Sequence, residues 1–415
     1  MLIKLAWRNL WRNKMRTSIM LGAMVFGLLG VSLMMGFMTG LVDSMLKNAI
    51  SWQTSHVQVH QKTYVDNPEI NSVIPNSDLI LDYIKQSPDI KAYSARVLAN
   101  GMVASARSTR GVRINGIDLV QEQKITPLSE HIVDGKWLSA EGRNPVLVSQ
   151  KIAERLRLRV GSKVVLTFSD TNNDVSGAAF RVRGIFKTPS TSFDDGNVYV
   201  RKNDLTKLAG IKGVHEIAIL VNDTEVDSVK AFQQELQSHL NESMRKEGSS
   251  QISVRNWQQV QPLLATMQGS MKTSNQVMLA IFVIAMGFGI INILLMSVFE
   301  RTQEFGVLMA VGMQKHKIFI LIMLESTFLG VTGAALGVIS SFTLMTVLGH
   351  SGINLAMMAE ALGNYGMDTM LYPYVAGSDY QMIFVTVVLV SLIAALYPAR
   401  QILKQHPVQA MSEKH

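Results

Sequence analysis

Long apolar segments without charged side chains alternate with polar segments along the chain. The first holds 26 consecutive uncharged residues between Arg16 and Asp43, and the third is interrupted only by Glu325. Because about 20 apolar residues in a helix cross the hydrocarbon core of a bilayer, each segment is long enough to span a membrane. The pattern predicts four membrane-spanning helices, at residues 18–42, 273–299, 318–348 and 380–399.

The distribution of Lys and Arg around these spans predicts their orientation. Basic residues precede the first span, lie between the second and third, and follow the fourth, whereas residues 349–379 contain three acidic residues and neither Lys nor Arg. Since cytoplasmic loops carry the excess of Lys and Arg, both termini and residues 300–317 are expected in the cytoplasm. Residues 43–272 and 349–379 would then face the periplasm of a bacterial inner membrane.

The segment between the first two spans is large enough for a folded domain. Short runs with alternating or β-branched residues, such as 163–168 and 216–221, predict strands, and residues 224–240 have the spacing of an amphipathic helix. Helical patterns at both ends, next to the spans, suggest a helical stalk. The predicted fold is an α-helical membrane protein with four transmembrane helices and a large α+β periplasmic domain at residues 43–272.

Composition argues against catalytic chemistry in this chain. Charged residues make up only 17% of it, there is no cysteine, and the net charge of +8 mostly reflects the basic segments beside the spans. His56 and His60 lack a third ligand in register, so we interpret them as ordinary strand side chains rather than a metal site. No nucleic-acid-binding module, G-x-S-x-G, H-E-x-x-H or Walker A motif is present. We therefore expect a non-catalytic chain without a metal or cofactor of its own.

Two cytoplasmic segments have amphipathic patterns. Residues 1–17 place basic side chains every four residues and tryptophans on the other side, which predicts an elbow helix in the lipid headgroup plane. Residues 300–317 carry Phe305, Leu308 and Met309 in helical spacing, with Gly306 and Gly312 at expected bends. The apolar side of this second helix must be covered by membrane lipid or by a groove in a soluble partner.

Residues 300–312 read E-R-T-Q-E-F-G-V-L-M-A-V-G. They resemble the coupling segment of the ABC transporter permeases related to MacB, FtsX and LolC/LolE, the type VII family. Two further motifs agree in order: the W-R-N-L at residues 7–10 resembles that family's elbow, and the Y-P-A-R at residues 397–400 resembles its C-terminal ending. The layout of the chain is most similar to that of the LolC/LolE-type permeases.

The resemblance implies a permease subunit that works beside a separate cytoplasmic ATPase dimer, which would bind ATP and Mg²⁺. Two permease copies, identical or paralogous, would share that ATPase. ATP-driven closure would then move the periplasmic domains. By position in the motif, the residues that would couple to the ATPase are Glu300, Arg301, Glu304, Phe305, Gly306, Leu308 and Gly312.

Small and charged residues within the spans are candidates for packing and coupling. Glu325 lies about 10 Å into its helix at 1.5 Å per residue, so it could reach Arg301 or a helix end, or else remain a solvated carboxylate. The glycines predicted to allow close helix packing, within the chain or between two copies, are Gly36, Gly40, Gly330, Gly333 and Gly337.

Methionine is abundant near the first two spans. Flexible thioether side chains suit an apolar cavity that accepts irregular acyl chains, although filling gaps between helices explains them equally simply. The methionines that could line such a substrate cavity are Met34, Met38, Met267, Met271 and Met278.

Two functions remain open from the sequence. The first is extraction or export of a lipoprotein or another lipid-linked, amphipathic substrate from the inner membrane. The alternative is an FtsX-like scaffold that activates a periplasmic cell-wall hydrolase. Residues 169–180, which correspond to the loop that captures a periplasmic carrier in LolC, form a short predicted loop without that motif, so a carrier partner also stays open.

Overall fold

The computed structural model describes residues 2–246 and 252–404. Within the predicted cytoplasmic tail at 400–415, residues 405–415 lie outside the described part. The chain divides into two compact units. We call Met1–Leu41, Gln268–Asn354 and Met370–His415 the membrane unit, and Val42–Met267 with Leu355–Thr369 the globular unit.

Helices account for most of the membrane unit and alternate with strands along the globular unit. In chain order the α-helices of the described residues are α1 Leu2–Leu10, α2 Lys14–Ala49, α3 Lys62–Asp66, α4 Ser77–Gln86, α5 Leu119–Ile125, α6 Gln150–Leu156, α7 Thr191–Gly196, α8 Lys202–Ala209, α9 Val226–Lys246, α10 Trp257–Val260, α11 Pro262–Glu300, α12 Thr302–Ala310, α13 Lys315–Ser351, α14 Ala359–Asn364 and α15 Gly377–Lys404.

Four of these helices, α2, α11, α13 and α15, are long and apolar enough to cross a membrane, which confirms the predicted set of four. The first three have 36, 39 and 37 residues, more than the hydrocarbon core requires. The helical extensions beyond the apolar runs are α2 up to Ala49 and α11 from Pro262.

The prediction of one continuous N-terminal helix is wrong. Helix α1 ends at Leu10, and α2 begins at Lys14 after a turn. The side chain of Asn13 accepts a hydrogen bond from the backbone N–H of Arg16 at 3.4 Å, as an N-cap residue does. The hydroxyl of Thr17 donates to the carbonyl of Leu10, so a side chain also satisfies the end of α1. These capping hydrogen bonds therefore end one helix and begin the next, although the four-residue spacing of the basic side chains continues across the break.

The globular unit is built on a mixed sheet, which agrees with the predicted α+β class. Its strands are β1 Val57–Gln61, β2 Ile90–Ala104, β3 Thr109–Ile117, β4 Ile132–Gly135, β5 Pro145–Ser149, β6 Lys163–Ser169, β7 Val175–Phe186, β8 Asn197–Arg201, β9 Glu216–Val221 and β10 Ile252–Asn256; the short pair β11 Ile353–Asn354 and β12 Met370–Leu371 belongs to the membrane unit.

The long strand β2 joins two parts of this sheet. The order is β10-β1-β9-β2-β3-β8-β5-β7-β4, and β6 pairs with both β2 and β7. Strands β2, β3, β8, β5, β7 and β6 therefore form a closed ring, with parallel pairs β3–β8 and β5–β7. Alternate side chains such as Val97, Ile114, Val148 and Val182 fill its apolar core.

The predicted loop at residues 169–180 is mostly sheet. Strands β6 and β7 pair antiparallel from Lys163↔Arg181 to Ser169↔Val175. The turn covers only residues 170–174, where the carboxylate of Asp170 accepts hydrogen bonds from the backbone N–H groups of Asn172 and Asp174. Pairing across the ladder satisfies the backbone of the small residues at 176–179, whose weak apolar pattern gave no strand signal.

Candidate coupling site

A short helix between two spans forms the candidate site. Helix α11 ends at Glu300, Arg301 leaves the helical conformation, and α12 follows directly. At the other end Gly312 adopts a positive φ of 99°, and the N–H of Met313 bonds to the carbonyl of Leu308 at 2.9 Å. Glycine favours this left-handed position after a helix because it has no Cβ to clash. The bend at Gly312 is therefore as predicted, and the chain turns back into α13. The bend predicted at Gly306 is wrong, because Gly306 lies inside α12, where it is buried.

Phe305 anchors α12 to the membrane unit. Its side chain is 1% exposed and packs in a cluster with Val298, Ile318, Ile322 and Ala399. These neighbours belong to α11, α13 and α15. Burial of a phenylalanine among three other helices holds α12 against their ends, so Phe305 is a structural anchor rather than a surface for a partner.

Glu325 makes the predicted contact with Arg301. Both carboxylate oxygens lie 3.2 Å from Nη1 of Arg301, and the two side chains are 14% and 15% exposed. Asn9 adds a hydrogen bond from Nδ2 to Oε1 of Glu325 at 2.8 Å. One carboxylate in α13 therefore contacts both α1 and the start of α12, and the contact from Asn9 was not foreseen.

Ion pairs also join the turn after α1 to the same segment. Nη2 of Arg12 lies 2.6 and 2.9 Å from the two carboxylate oxygens of Glu304, and Nε of Arg301 lies 3.0 Å from Oε2. Burial opposes the ionisation of Glu304, but hydrogen bonds from Arg12 and Arg301 outweigh it and hold its pKa below the usual value. Arg16 pairs with Glu300. We call Asn9, Arg12, Arg301, Glu304 and Glu325 the elbow network.

The free face of α12 differs from the one expected. Four of the seven residues assigned to ATPase coupling are covered by the membrane unit: Phe305 and Gly306 are buried, and Arg301 and Leu308 are half-buried. Glu300, Glu304 and Gly312 are exposed, although Glu304 also pairs with Arg12 and Arg301. The exposed apolar side chains are Val307 and Val311, at 52% and 83%. The two valines are four residues apart, which places them on the same side, opposite Phe305. This spacing could have identified the free side of α12, but the assignment by motif position did not use it.

The five candidate glycines all pack against other parts of the same membrane unit. A Cβ on Gly333 would lie 2.7 Å from Sδ of Met24, and a Cβ on Gly337 would overlap Leu28. Gly36 and Gly40 approach Met345 and the segment at residues 371–375, and Gly330 approaches Ser391. Of the two alternatives left open by the sequence, packing within the chain therefore accounts for their contacts.

The apolar cavity of the membrane unit lies beside methionines other than the five predicted ones. The membrane unit contains an apolar cavity of about 150 Å³ whose lining includes Met20, Met24 and Met286. None of the five predicted methionines lines it: Met34 and Met38 are 53% and 42% exposed, and Met267, Met271 and Met278 are half-buried. Helical phase does not separate these residues, because Met20, Met24, Met34 and Met38 share one face of α2 at 3.6 residues per turn. Met20 and Met24 are buried where other helices pack on that face, whereas Met34 and Met38 lie further along it and are exposed.

Buried charges in the globular unit form a separate cluster. Arg96 bonds to Glu122 at 2.7 Å and to Glu216 at 2.6 Å, and Nε2 of His60 lies 3.6 Å from Glu216. Nδ1 of His60 lies 2.9 Å from the carbonyl of His215. Within residues 2–246 and 252–404, no group of three His, Asp or Glu side chains is arranged to hold a metal ion. These polar groups are mutually satisfied, as a structural network requires.

Two family models match consecutive parts of the chain. The MacB-like periplasmic core domain matches residues 17–239, more than half of the chain, and the FtsX-like permease C-terminal model matches residues 276–407. The second match contains α12 and the spans that pack on it.

Individual relatives agree with these models. An ABC transporter permease of Methanocaldococcus jannaschii is 24% identical over 283 residues, covering 68% of this chain and 65% of the relative. The macrolide export ATP-binding/permease protein MacB of Acinetobacter baylyi is 24% identical over 416 residues, covering 95% and 56%. The lipoprotein-releasing system transmembrane protein LolC of Xylella fastidiosa is 24% identical over 315 residues, covering 72% of each chain. With its four spans and α+β domain, the chain belongs to the MacB/FtsX/LolC family of ABC transporter permeases.

Proposed function

We propose that the chain is the non-catalytic permease subunit of a transporter in which a separate cytoplasmic ATPase dimer binds ATP and Mg²⁺. Movement of that ATPase enters through α12 and is passed to the globular unit on the periplasmic side of the inner membrane. The substrate is a lipoprotein or another lipid-linked, amphipathic molecule taken from the membrane. Relatives named for lipoprotein release and for macrolide export both fit an amphipathic substrate.

One observation carries this proposal: α12 is fixed on one side and apolar on its free side. Val307 in α12 and Val311 directly after its last residue are exposed, and α12 is too short and too sharply bounded to cross a bilayer. Exposed apolar side chains at such a spacing suit a groove in a soluble partner. The matching segment docks on the ATPase in the family that the chain resembles.

The contacts on the fixed side explain how a push on α12 would travel. Phe305 connects α12 to α11, α13 and α15, and the elbow network connects it to α1 and again to α13. Since closely packed side chains transmit displacement with little deformation, α12 and the ends of the spans move together. The glycine contacts of α13 with α2 extend the same rigid packing into the membrane.

A second permease copy and membrane lipid would cover the outer faces of the spans. Helix α11 presents Val277, Ile281, Ile284 and Phe288 on one side, with exposures of 55%, 65%, 60% and 69%. Their spacing of four, three and four residues makes a continuous apolar stripe. This stripe suits acyl chains or the matching face of an identical or paralogous permease.

The docking of α12 is tested by charge substitution on its free face. The tagged full chain is co-expressed with its partner ABC ATPase, and the amount of ATPase retained after affinity purification is measured. Val311→Asp should reduce retention at least about tenfold, because a carboxylate would be buried without a partner. Val120→Asp in the globular unit, where the valine is 62% exposed, is the matched control. Equal retention by Val311→Asp and Val120→Asp would refute docking through α12.

The substrate is tested on the purified complex. Mass spectrometry of lipid and protein bound before ATP addition, and lost after it, should identify an acylated or amphipathic molecule. If ATP instead released a soluble cell-wall hydrolase from the complex, and no acylated or amphipathic molecule, the signalling scaffold would be favoured over transport.

A further inference from the structure

A basic groove in the globular unit forms a second site, distinct from α12. The groove has a volume of about 880 Å³ and lies between α6, the following loop, β4 and β7. Ala153, Leu158 and Ile185 contribute its apolar floor, and Val133 at its edge is 55% exposed. Arg107, Arg157 and Arg159 line its rim together with Asp134 and Glu154.

The three rim arginines lack the acidic partners that several other arginines of the globular unit have. Arg110 and Arg155 both pair with Asp195, and Arg201 pairs with Asp204. The side chains of Arg107, Arg157 and Arg159, by contrast, have no ion pair or hydrogen bond with any residue in 2–246 or 252–404. Glu154 instead accepts a hydrogen bond from Gln150 at 2.8 Å. Three exposed guanidinium groups are thus available to an external ligand.

Arg157 also occupies an unusual backbone position. It ends α6 with φ 51° and ψ 50°, the left-handed conformation. Glycine or asparagine is normally found there, since a larger residue is strained by the contact of its Cβ with the backbone. Its backbone N–H closes α6 by bonding to the carbonyls of Ala153 and Glu154, which glycine would do equally well. Nothing in the local fold requires arginine, so the side chain itself is the feature to explain.

The chemistry of the groove selects an oxyanion attached to an apolar group. Guanidinium groups bind phosphate through paired, charge-assisted hydrogen bonds, and three of them match the three terminal oxygens of a phosphomonoester better than the two of a carboxylate. Lys136, Arg181 and Arg183 add exposed positive charge along β4 and β7 and outweigh the acidic pair on the rim. Val133, which is 55% exposed, offers apolar surface to the rest of the molecule, and the nearly buried floor residues add only a small area beside it.

We propose that this groove binds the phosphomonoester head of an anionic amphiphile, such as phosphatidic acid. The site is independent of the proposed ATPase docking and of the transported substrate. Free phosphate could bind the same guanidinium groups as the head of the amphiphile, and so could an acidic protein surface. The test therefore separates both from the amphiphile.

The test uses the full chain in nanodiscs of phosphatidylcholine, with dihexanoyl phosphatidic acid as the probe and binding measured by titration calorimetry. Arg157→Asn, Arg159→Gln and Arg107→Gln should each weaken binding about tenfold or more, the loss expected for a charge-assisted hydrogen bond. Lys163→Gln, which removes one exposed positive charge outside the groove, should change the affinity less than about twofold. Arg157→Asn should also keep or raise the melting temperature, because asparagine tolerates the left-handed conformation.

Each remaining arm has a defined outcome. Weaker binding of inorganic phosphate and of dihexanoyl phosphatidylcholine supports an anionic head joined to an apolar chain. Inorganic phosphate binding as tightly as the probe would overturn the amphiphile. Tighter binding of polyglutamate, lost in the same three variants, would assign the groove to an acidic protein. If Lys163→Gln weakened probe binding as much as the three arginine substitutions, the overall positive charge of the domain would explain the binding, and the proposed site would be refuted.

Discussion

The contact between Arg301 and Glu325 gives the sharpest test of the elbow network. The perturbation is Glu325→Gln, which removes the charge but keeps an oxygen able to accept from Arg301 and Asn9. Glu300→Gln is the matched control, because Glu300 lies on the same segment, is 47% exposed and, among residues 2–246 and 252–404, forms an ion pair with Arg16 alone.

The magnitude follows from distance and burial. At the observed 3.2 Å, two unit charges interact by about 5 kcal/mol at an effective dielectric constant of about 20. Desolvation offsets much of this attraction, and Arg301 keeps Glu304 as a partner after the substitution. We therefore expect Glu325→Gln to lower the free energy of unfolding by about 1–3 kcal/mol. The exposed pair of Glu300 should contribute less than about 1 kcal/mol.

A double-mutant cycle measures the interaction itself. Unfolding of the detergent-solubilised chain is followed for Arg301→Gln, Glu325→Gln and the double variant, and ATPase stimulation is measured on the same proteins. A coupling energy above about 1 kcal/mol and a reduced stimulation are expected. A coupling energy below about 0.5 kcal/mol, or equal losses of unfolding free energy in Glu325→Gln and Glu300→Gln, would refute the reasoning.

Three further outcomes follow from packing and protonation. Phe305→Ala should cost about 3–5 kcal/mol and expose α12 to protease, because the side chain is 1% exposed; unchanged cleavage would contradict its role as an anchor. Gly337→Val should destabilise by about 1–3 kcal/mol through overlap with Leu28, whereas Gly30→Ala, with nothing within 4 Å, should be neutral or stabilising in the same melting assay. Burial lowers the pKa of His60 and His215. Since the unfolded chain then binds more protons at pH 5–6, the stability present above about pH 6.5 should fall on acidification, and His60→Gln should reduce that slope in thermal melts at pH 7.5 and 5.5.

Local pattern predicted the features that depend on local physics. An uncharged run such as residues 17–42 has no stable place in water, so the existence of the four spanning helices follows from composition and length. Gly312 was expected at a bend because its position after an amphipathic run suits a left-handed residue, and φ there is 99°. The break at Asn13 was also local, but its capping signal was weaker than the four-residue spacing of the basic side chains around it.

Features that depend on which helices meet could not be predicted in this way. The sequence allowed Glu325 to approach Arg301, but nothing in it places Asn9, 316 positions away, on the same carboxylate. It marked 300–312 as one motif without separating the buried Phe305 from the exposed Val311, since both are apolar.

The sequence by itself determined that this chain enters a membrane and carries a separately folded α+β segment, because apolar run length and periodicity act over a few turns. Only the tertiary structure decided which face of α12 is free, which helices the glycines bring together, and that Arg107, Arg157 and Arg159 share one groove. Those outcomes depend on packing between residues far apart along the chain, and hydrophobic burial, which drives that packing, has no preferred direction of its own.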